Sequence, residues 1–544
     1  MSVKRSGQAK APGKSRVTIR QVPTGVPGLD EILGGGLPEY SFNIIAGAPG
    51  SGKTTLAHQI LFANASPKTP GLYLTVLGEP AIKMLRYQQQ FSFFDHAKMD
   101  GAISFVNLSQ FVLQQDLGAV LEAIVKEVEA SKARFVVVDS FRTVLRKALG
   151  DTSEMELQGF VQRLALHLTS WQATTFLIGE YMEAELRDNP VFTVADGLLW
   201  LYQSVERNSI LRKMQVVKLR GQASVPGLHT FRITEAGLQT FPRTFGLTDN
   251  KSDHVKGRRR LSTGLRELDA IMGGGIPEGD SLLMAGPSGA GKTVLGIQFI
   301  AEGLQRGEPG IVAMFEELPN EFMQRAASFG FDLDKNIKDG SLKLIYLRPL
   351  DLSVDETVHE IVRTVKEMGA RRLVIDSLVG FEMALAPDFR TDFRESLYRM
   401  IGALTRLGVT IISTVEVEED FTSMGLSNFA ISFLADDIVR LRYASINGQL
   451  RKIMMVVKMR RSRHSIDMYA YEVTAKGLVI GEPMRGYRAL TSGIPGPWSL
   501  ESGQNDPEPK TARPPEPARS KRRPRKKSPR RKKPRKKNAE SRAR

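Results

Sequence analysis

The strongest constraint on this chain is a repeat within itself. TGVPGLDEILGGGLPE, starting at Thr24, returns as TGLRELDAIMGGGIPE, starting at Thr263. Each copy is followed by an apolar stretch and a glycine-rich loop, GAPGSGKTT and GPSGAGKTV. The offset of 239 residues holds from Asp30 and Asp269 through Lys53 and Lys292 to Pro80 and Pro319. Such self-similarity means one domain made twice, and 544 residues suit two domains with tails.

Within each copy, continuous apolar runs alternate with helical patterns. Phe42–Ala46, Leu72–Val76, Phe135–Val138 and Thr175–Ile178 read as buried strands, with helices over Leu56–Ala63 and Leu117–Ala130. Ser281–Ala285, Ile311–Phe315, Leu373–Ile375 and Thr410–Ser413 repeat them, with helices over Val354–Met368 and Arg394–Leu407. Strands without polar alternation belong to parallel sheets covered on both faces, so the fold class is α/β. The expected boundaries are a flexible start over 1–17, a first domain over 18–247, a linker over 248–260, a second domain over 261–487 and a disordered tail over 488–544. The absence of cysteine excludes disulfides, cysteine-ligated zinc, iron–sulfur clusters and a thiol nucleophile, and fits a cytoplasmic protein. No apolar run reaches the roughly 20 residues of a membrane span, and no apolar segment behind the charged start marks a secretory signal.

Both glycine loops satisfy G-x-x-x-x-G-K-[ST] between a strand and a helix. Their glycines let backbone N–H groups point inward at phosphate oxygens, and the helix that follows offers its positive end. The phosphate-contacting set is Gly47, Gly50, Ser51, Gly52, Lys53, Thr54 and Thr55, then Gly286, Gly289, Ala290, Gly291, Lys292, Thr293 and Val294. Lys53 and Lys292 would neutralise the outer phosphates of ATP, and Thr54 and Thr293 would ligate Mg2+. An acid closing a buried strand should complete the metal site. RFVVVDS supplies Asp139 and RLVIDS supplies Asp376, at matched distances from the lysines.

Taken together, the T-G-x-x-x-L-D…G-G-G entry, the two P-loops, FEELP at Phe315–Pro319, the VDS and IDS strands, Lys218-Leu219-Arg220 and Lys458-Met459-Arg460 resemble the KaiC family. These are tandem RecA-like P-loop ATPases named for the cyanobacterial circadian clock protein. The resemblance runs from Thr24 to about Gly486 and implies two RecA-like domains, a hexameric double ring with ATP between subunits, and ATPase activity. In the second half it implies serine/threonine autokinase activity. It also implies that Lys218 and Arg220, and Lys458 and Arg460, reach a neighbour's γ phosphate. Chemistry supports FEELP independently: Glu316 can act as base beside the γ phosphate, with Glu317 as its electrostatic support and a candidate metal ligand.

This sequence departs from the family pattern in three places. The first copy has Leu77 and Gly78 where the second has Glu316 and Glu317, which leaves Glu180 as the substitute base there. Arg461 replaces a family glycine. Ser432 keeps the place of a phosphoacceptor, but Phe433 beside it has no hydroxyl, so a two-site phosphorylation cycle cannot run unaltered.

Between Lys510 and Arg544 stand 18 Lys and Arg against two acids, so this tail holds +16 of the net charge of +17. SKRRPRKKSPRRKKPRKK would hold nucleic acid through counterion release with little sequence preference. Anionic membrane or simple solubility are the competing readings. The expectation for the whole chain is a hexameric ATPase and serine autokinase acting as a signalling or timing switch, with further protein partners. The alternatives are a RecA-like DNA motor and a nucleotide-gated scaffold with little turnover.

Overall fold

The structure, a computed structural model, describes residues 19–485 except 77–80, 100, 115, 149–153, 187–188, 207–208, 244–258, 348–352, 385–392, 418–433 and 447, together with 487–488 and 496–497. Leu77 to Pro80, Ser432, Phe433 and the basic tail lie outside the described residues, as does most of the expected linker.

The first half builds β1 (Phe42–Gly47), α1 (Lys53–Asn64), β2 (Gly71–Thr75), β3 (Ile103–Asn107), α2 (Leu117–Ser131), β4 (Phe135–Asp139), α3 (Glu154–Ser170) and β5 (Thr174–Glu180). Four strands follow: β6 (Gly197–Glu206), β7 (Ser209–Leu219), β8 (His229–Thr234) and β9 (Gly237–Phe241). They form one nine-stranded sheet in the order β9-β8-β7-β6-β1-β5-β4-β2-β3. From β6 to β3 all neighbours are parallel, and β7, β8 and β9 extend the sheet antiparallel.

The second half repeats this with β10 (Ser281–Gly286), α4 (Lys292–Gln305), β11 (Gly310–Met314), α5 (Pro319–Ser328), β12 (Leu342–Tyr346), α6 (Val354–Met368), β13 (Arg372–Asp376), α7 (Phe393–Arg406) and β14 (Thr410–Glu416). Its antiparallel extension is β15 (Asp437–Ile446), β16 (Gln449–Met459), β17 (Tyr469–Thr474) and β18 (Gly477–Pro483), and the strand order is the same. Even the bulge recurs, between Leu198 and Leu199 on β6 and between Ile438 and Val439 on β15.

The central strands are apolar throughout because both faces are covered. Ile44 packs with Val136, Val138 and Leu164 on one side, while Ile45 packs with Leu56, Ile60 and Val137 on the other. Alternate residues of one strand thus feed two cores. The expected strands stand within three residues of their predicted ends, and α6 has its predicted bounds. Lys218 and Lys458 lie on β7 and β16, and Arg220 and Arg460 follow one residue beyond their ends. One expected end changes: Phe315 lies past the end of β11.

The halves meet where β8 and β9 lie against α6 and α7. Arg232 pairs with Glu356 at 2.7 Å and Arg243 with Glu395 at 2.7 Å across the contact, beside the Arg399–Asp355 pair at 3.0 Å within the second half. The Phe241 ring stands edge-on to His359. Among the described residues no helix is long and apolar enough to cross a membrane.

Candidate active sites at the ends of the parallel strands

Parallel strands bring their carboxyl ends to one edge, where α/β sheets place their ligand sites. The neighbouring strands β10 and β14 align Gly286 with Glu416, and β1 and β5 align Gly47 with Glu180. Asp376 and Asp139 close the next strands over. The P-loops curl through glycines in the left-handed region, with Gly52 and Gly291 both at φ +97°. The positive φ of Gly52 calls for glycine, and a Cβ there would also stand 2.7 Å from the Ile233 Cδ1 and force that side chain to shift. Neither α1 nor α4 has a side chain capping its first turn, which leaves its N–H groups facing the loop. These open donors, with the buried lysines and acids described next, fit a magnesium–nucleotide complex.

Lys292 and Lys53 begin the helices and are almost entirely buried. Lys292 donates to the carbonyls of Gly286 and Pro287 at 2.9 and 2.8 Å, and Lys53 to that of Ala48 at 2.7 Å. Burial lowers the pKa of both amines; Glu416, Asp376 and Glu316 act against this at Lys292, as do Glu180 and Asp139 at Lys53. The Thr54 hydroxyl donates to Asp139 at 2.8 Å and that of Thr293 to Asp376 at 2.7 Å. The candidate metal ligands of each copy are therefore in contact.

In the second half, a cavity of about 700 Å³ opens over the P-loop and takes in Lys292, Thr293, Glu316, Glu317, Asp376 and Glu416. Ser377 donates to Glu316 Oε1 at 2.6 Å, and Arg325 donates to Glu317 Oε1 at 3.0 Å. Burial raises the pKa of Glu317, Arg325 lowers it, and Asp376 and Glu321 raise it. Gly380 makes room for this arrangement, since a Cβ there would stand 2.5 Å from Glu316 Oε1. The first half has Thr143 at the place of Gly380, as well as Leu77 at the place of Glu316. Its aspartate is held differently: Tyr73 donates to Asp139 at 2.6 Å, where the second half uses Thr414 on Asp376. Burial raises the pKa of Asp139, against the hydrogen bonds from Tyr73 and Thr54.

The cation pairs do not join these groups. Lys218 bonds the carbonyls of Phe192 and Thr193, and Arg220 pairs with Asp196 at 3.2 Å. Lys458 bonds the carbonyl of Ala435, and Arg460 pairs with Asp436 at 3.1 Å. Registers place Leu219 opposite Gly197, and Gly197 opposite Asn43, near the start of β1. Both pairs therefore sit at the sheet edge away from their own P-loops.

The same duplication is recognised in known proteins. The family model described as "ATPase: KaiC" matches residues 22–244 and again 261–485. The chain belongs to the KaiC ATPase family. The circadian clock oscillator protein KaiC of Rippkaea orientalis is 28% identical over 502 residues, covering 90% of this chain and 94% of that protein. KaiC 1 of Synechocystis is 28% identical over 498 residues, with 89% and 93% covered, and KaiC of Prochlorococcus marinus is 26% identical over 496 residues, with 90% and 98% covered. Both domains of this KaiC relative carry nucleotide-site machinery, and sequence reading missed part of it. Glu416 could have been found by setting TIISTVE against TTFLIGE, which ends in Glu180. Ser377 follows Asp376 as Ser140 follows Asp139, a repeat that names no partner for either hydroxyl. Arg325, Gly380, Tyr73 and Thr414 have no motif, because their contacts form across strands and helices.

Proposed function

We propose that this KaiC-family protein binds Mg–ATP in both domains and performs phosphoryl transfer chiefly in the second, as a ring-forming signalling or timing switch. One observation carries this reading: Glu316 is fixed by Ser377 across the cavity from Lys292, Thr293 and Asp376. In that place its carboxylate can accept the proton of an attacking oxygen. Lys292 would hold the outer phosphates, with Thr293 and Asp376 holding the metal, and bound Mg2+ would screen charge on the transferring phosphoryl group. The attacking oxygen is water in hydrolysis and the Ser432 hydroxyl in an autokinase step. The paired replacement of Glu316 and Gly380 by Leu77 and Thr143 supports a first domain that holds nucleotide more than it turns it over. Lys458 and Arg460, out of reach of their own loop, support sites completed by a neighbouring subunit of a hexamer. The domain limits 18–247 and 261–487 and a nucleic-acid contact by 510–544 belong to the same proposal.

The test is Glu316→Gln in the full chain with γ-labelled ATP, following released phosphate and label on protein. Turnover should fall roughly 10²–10⁴-fold, as for loss of a positioned base, and any label on Ser432 should go with it, while nucleotide remains bound. Unchanged turnover would refute the assignment.

A further inference from the structure

We propose that Arg325 is a positioning residue for phosphoryl transfer in the second domain, anchoring Glu317 to α5 so that it stays aligned beside Glu316. The inference rests on the reading of the second site given above. An exposed ion pair on a helix is ordinarily worth little, and Arg325 is itself half exposed. Its partner is not. Glu317 is largely buried, and Asp376, Glu321, Glu316 and Glu416 stand with it around the same cavity. The cations facing that crowd are Lys292 at the loop and Arg325 on α5. Lys292 is engaged by its own loop carbonyls. Arg325 meets Glu317 through both Nε and a terminal nitrogen at 3.0 Å. Removing the guanidinium therefore releases the Glu317 side chain from α5. An unanchored Glu317 no longer holds its carboxylate in line beside the base.

The first copy provides an internal control. Arg86 occupies the position of Arg325, but Gly78 occupies that of Glu317. A role of the arginine toward nucleotide alone would be shared by both copies, whereas a role through Glu317 belongs to the second.

The experiment uses the full chain and compares Arg325→Gln, Arg325→Lys and Arg86→Gln for steady-state phosphate release, with binding of a fluorescent ATP analogue measured alongside. Arg325→Gln should lower kcat on the order of tenfold, the loss expected when a charge-assisted bond that orients a base is removed. Analogue affinity should be retained, and lysine should restore most of kcat. Arg86→Gln should leave kcat near the wild-type value. In a Glu317→Gln background, Arg325→Gln should have little further effect, because the two act as one unit. An unchanged kcat would overturn the proposal, as would a loss confined to nucleotide affinity. If Glu316→Gln itself left turnover intact, the reading of the site would fail instead, so the two failures are distinguishable.

Discussion

Asp437 is fully buried at the start of β15, and its Oδ2 has no hydrogen-bond partner among the described residues. Burial, then Asp280 and Asp436, push its pKa up to about 7, against the Arg460 backbone N–H and the Arg260 charge. Arg461, on the same side, pairs with Asp280 at 3.2 Å. An unfolded aspartate titrates near ~3.9, so the native state holds this proton more tightly. The stability it contributes is full below that unfolded value and is lost as pH rises through about 7. Asp437→Asn, with an amide that cannot ionise, should flatten that decline. Thermal unfolding of both proteins across pH reads it, and parallel curves would refute the assignment. The first copy has Gly197 at this place and makes no such demand. The site's legibility follows from how its residues are spaced. Lys53, Thr54, Lys292 and Thr293 were readable because a P-loop is contiguous in sequence. Asp139 and Asp376 were readable because each closes an apolar run. The buried acid at Asp437 and the Glu317–Arg325 contact were not, since burial and partners are set by the packing of separate elements.

At the scale of elements, the antiparallel strands β7, β8 and β9 do more than widen the first sheet. They present Thr230, Arg232 and Arg243 to the second domain, where α6 answers with Asp355 and Glu356 and α7 with Glu395 and Arg399. These strands were the least legible part of the fold. β8 reads HTFRIT, with its outer residues less buried than its first three, and it lacks the continuous apolar run that identified β1, β2, β4 and β5. A strand whose face is covered by another domain can carry charge there, so its sequence reads like a loop. α6 also leads directly to β13, which ends in Asp376, so this contact lies one element from the carboxylate proposed to hold the metal. Arg399 and Asp355 are both mostly buried. Arg399→Ala should cost on the order of 2 kcal/mol by leaving that carboxylate unpaired. Urea unfolding would show the loss as a lower midpoint, and an unchanged midpoint would mean the pair is idle.

At the scale of the molecule, the duplication supplies two sheets of one design with unequal sites, and the cation pairs constrain how those sites can be completed. In the second domain Met459 lies opposite Asp437, and Asp437 opposite Leu282, four residues before the end of β10 at Gly286. At roughly 3.3 Å per strand residue, that is about 13 Å from the start of the P-loop. Arg460 is moreover anchored toward Asp436 at the far edge. An arginine there cannot serve its own γ phosphate, but in a ring it can serve the next subunit's. This gives a prediction that a monomeric site cannot meet. Subunits with Glu316→Gln keep their cations and lack the base, while subunits with Arg460→Ala keep the base and lack the cation. Each alone should turn over ATP slowly. When the two are mixed equally and allowed to reassemble, random arrangement in a closed ring makes about one interface in four wild type on both sides. Phosphate release should then recover to roughly a quarter of the wild-type rate. Recovery requires only that subunits exchange, which mixing labelled and unlabelled protein would verify. If exchange occurs and activity stays at the level of the separate variants, Arg460 acts within its own chain or not at all.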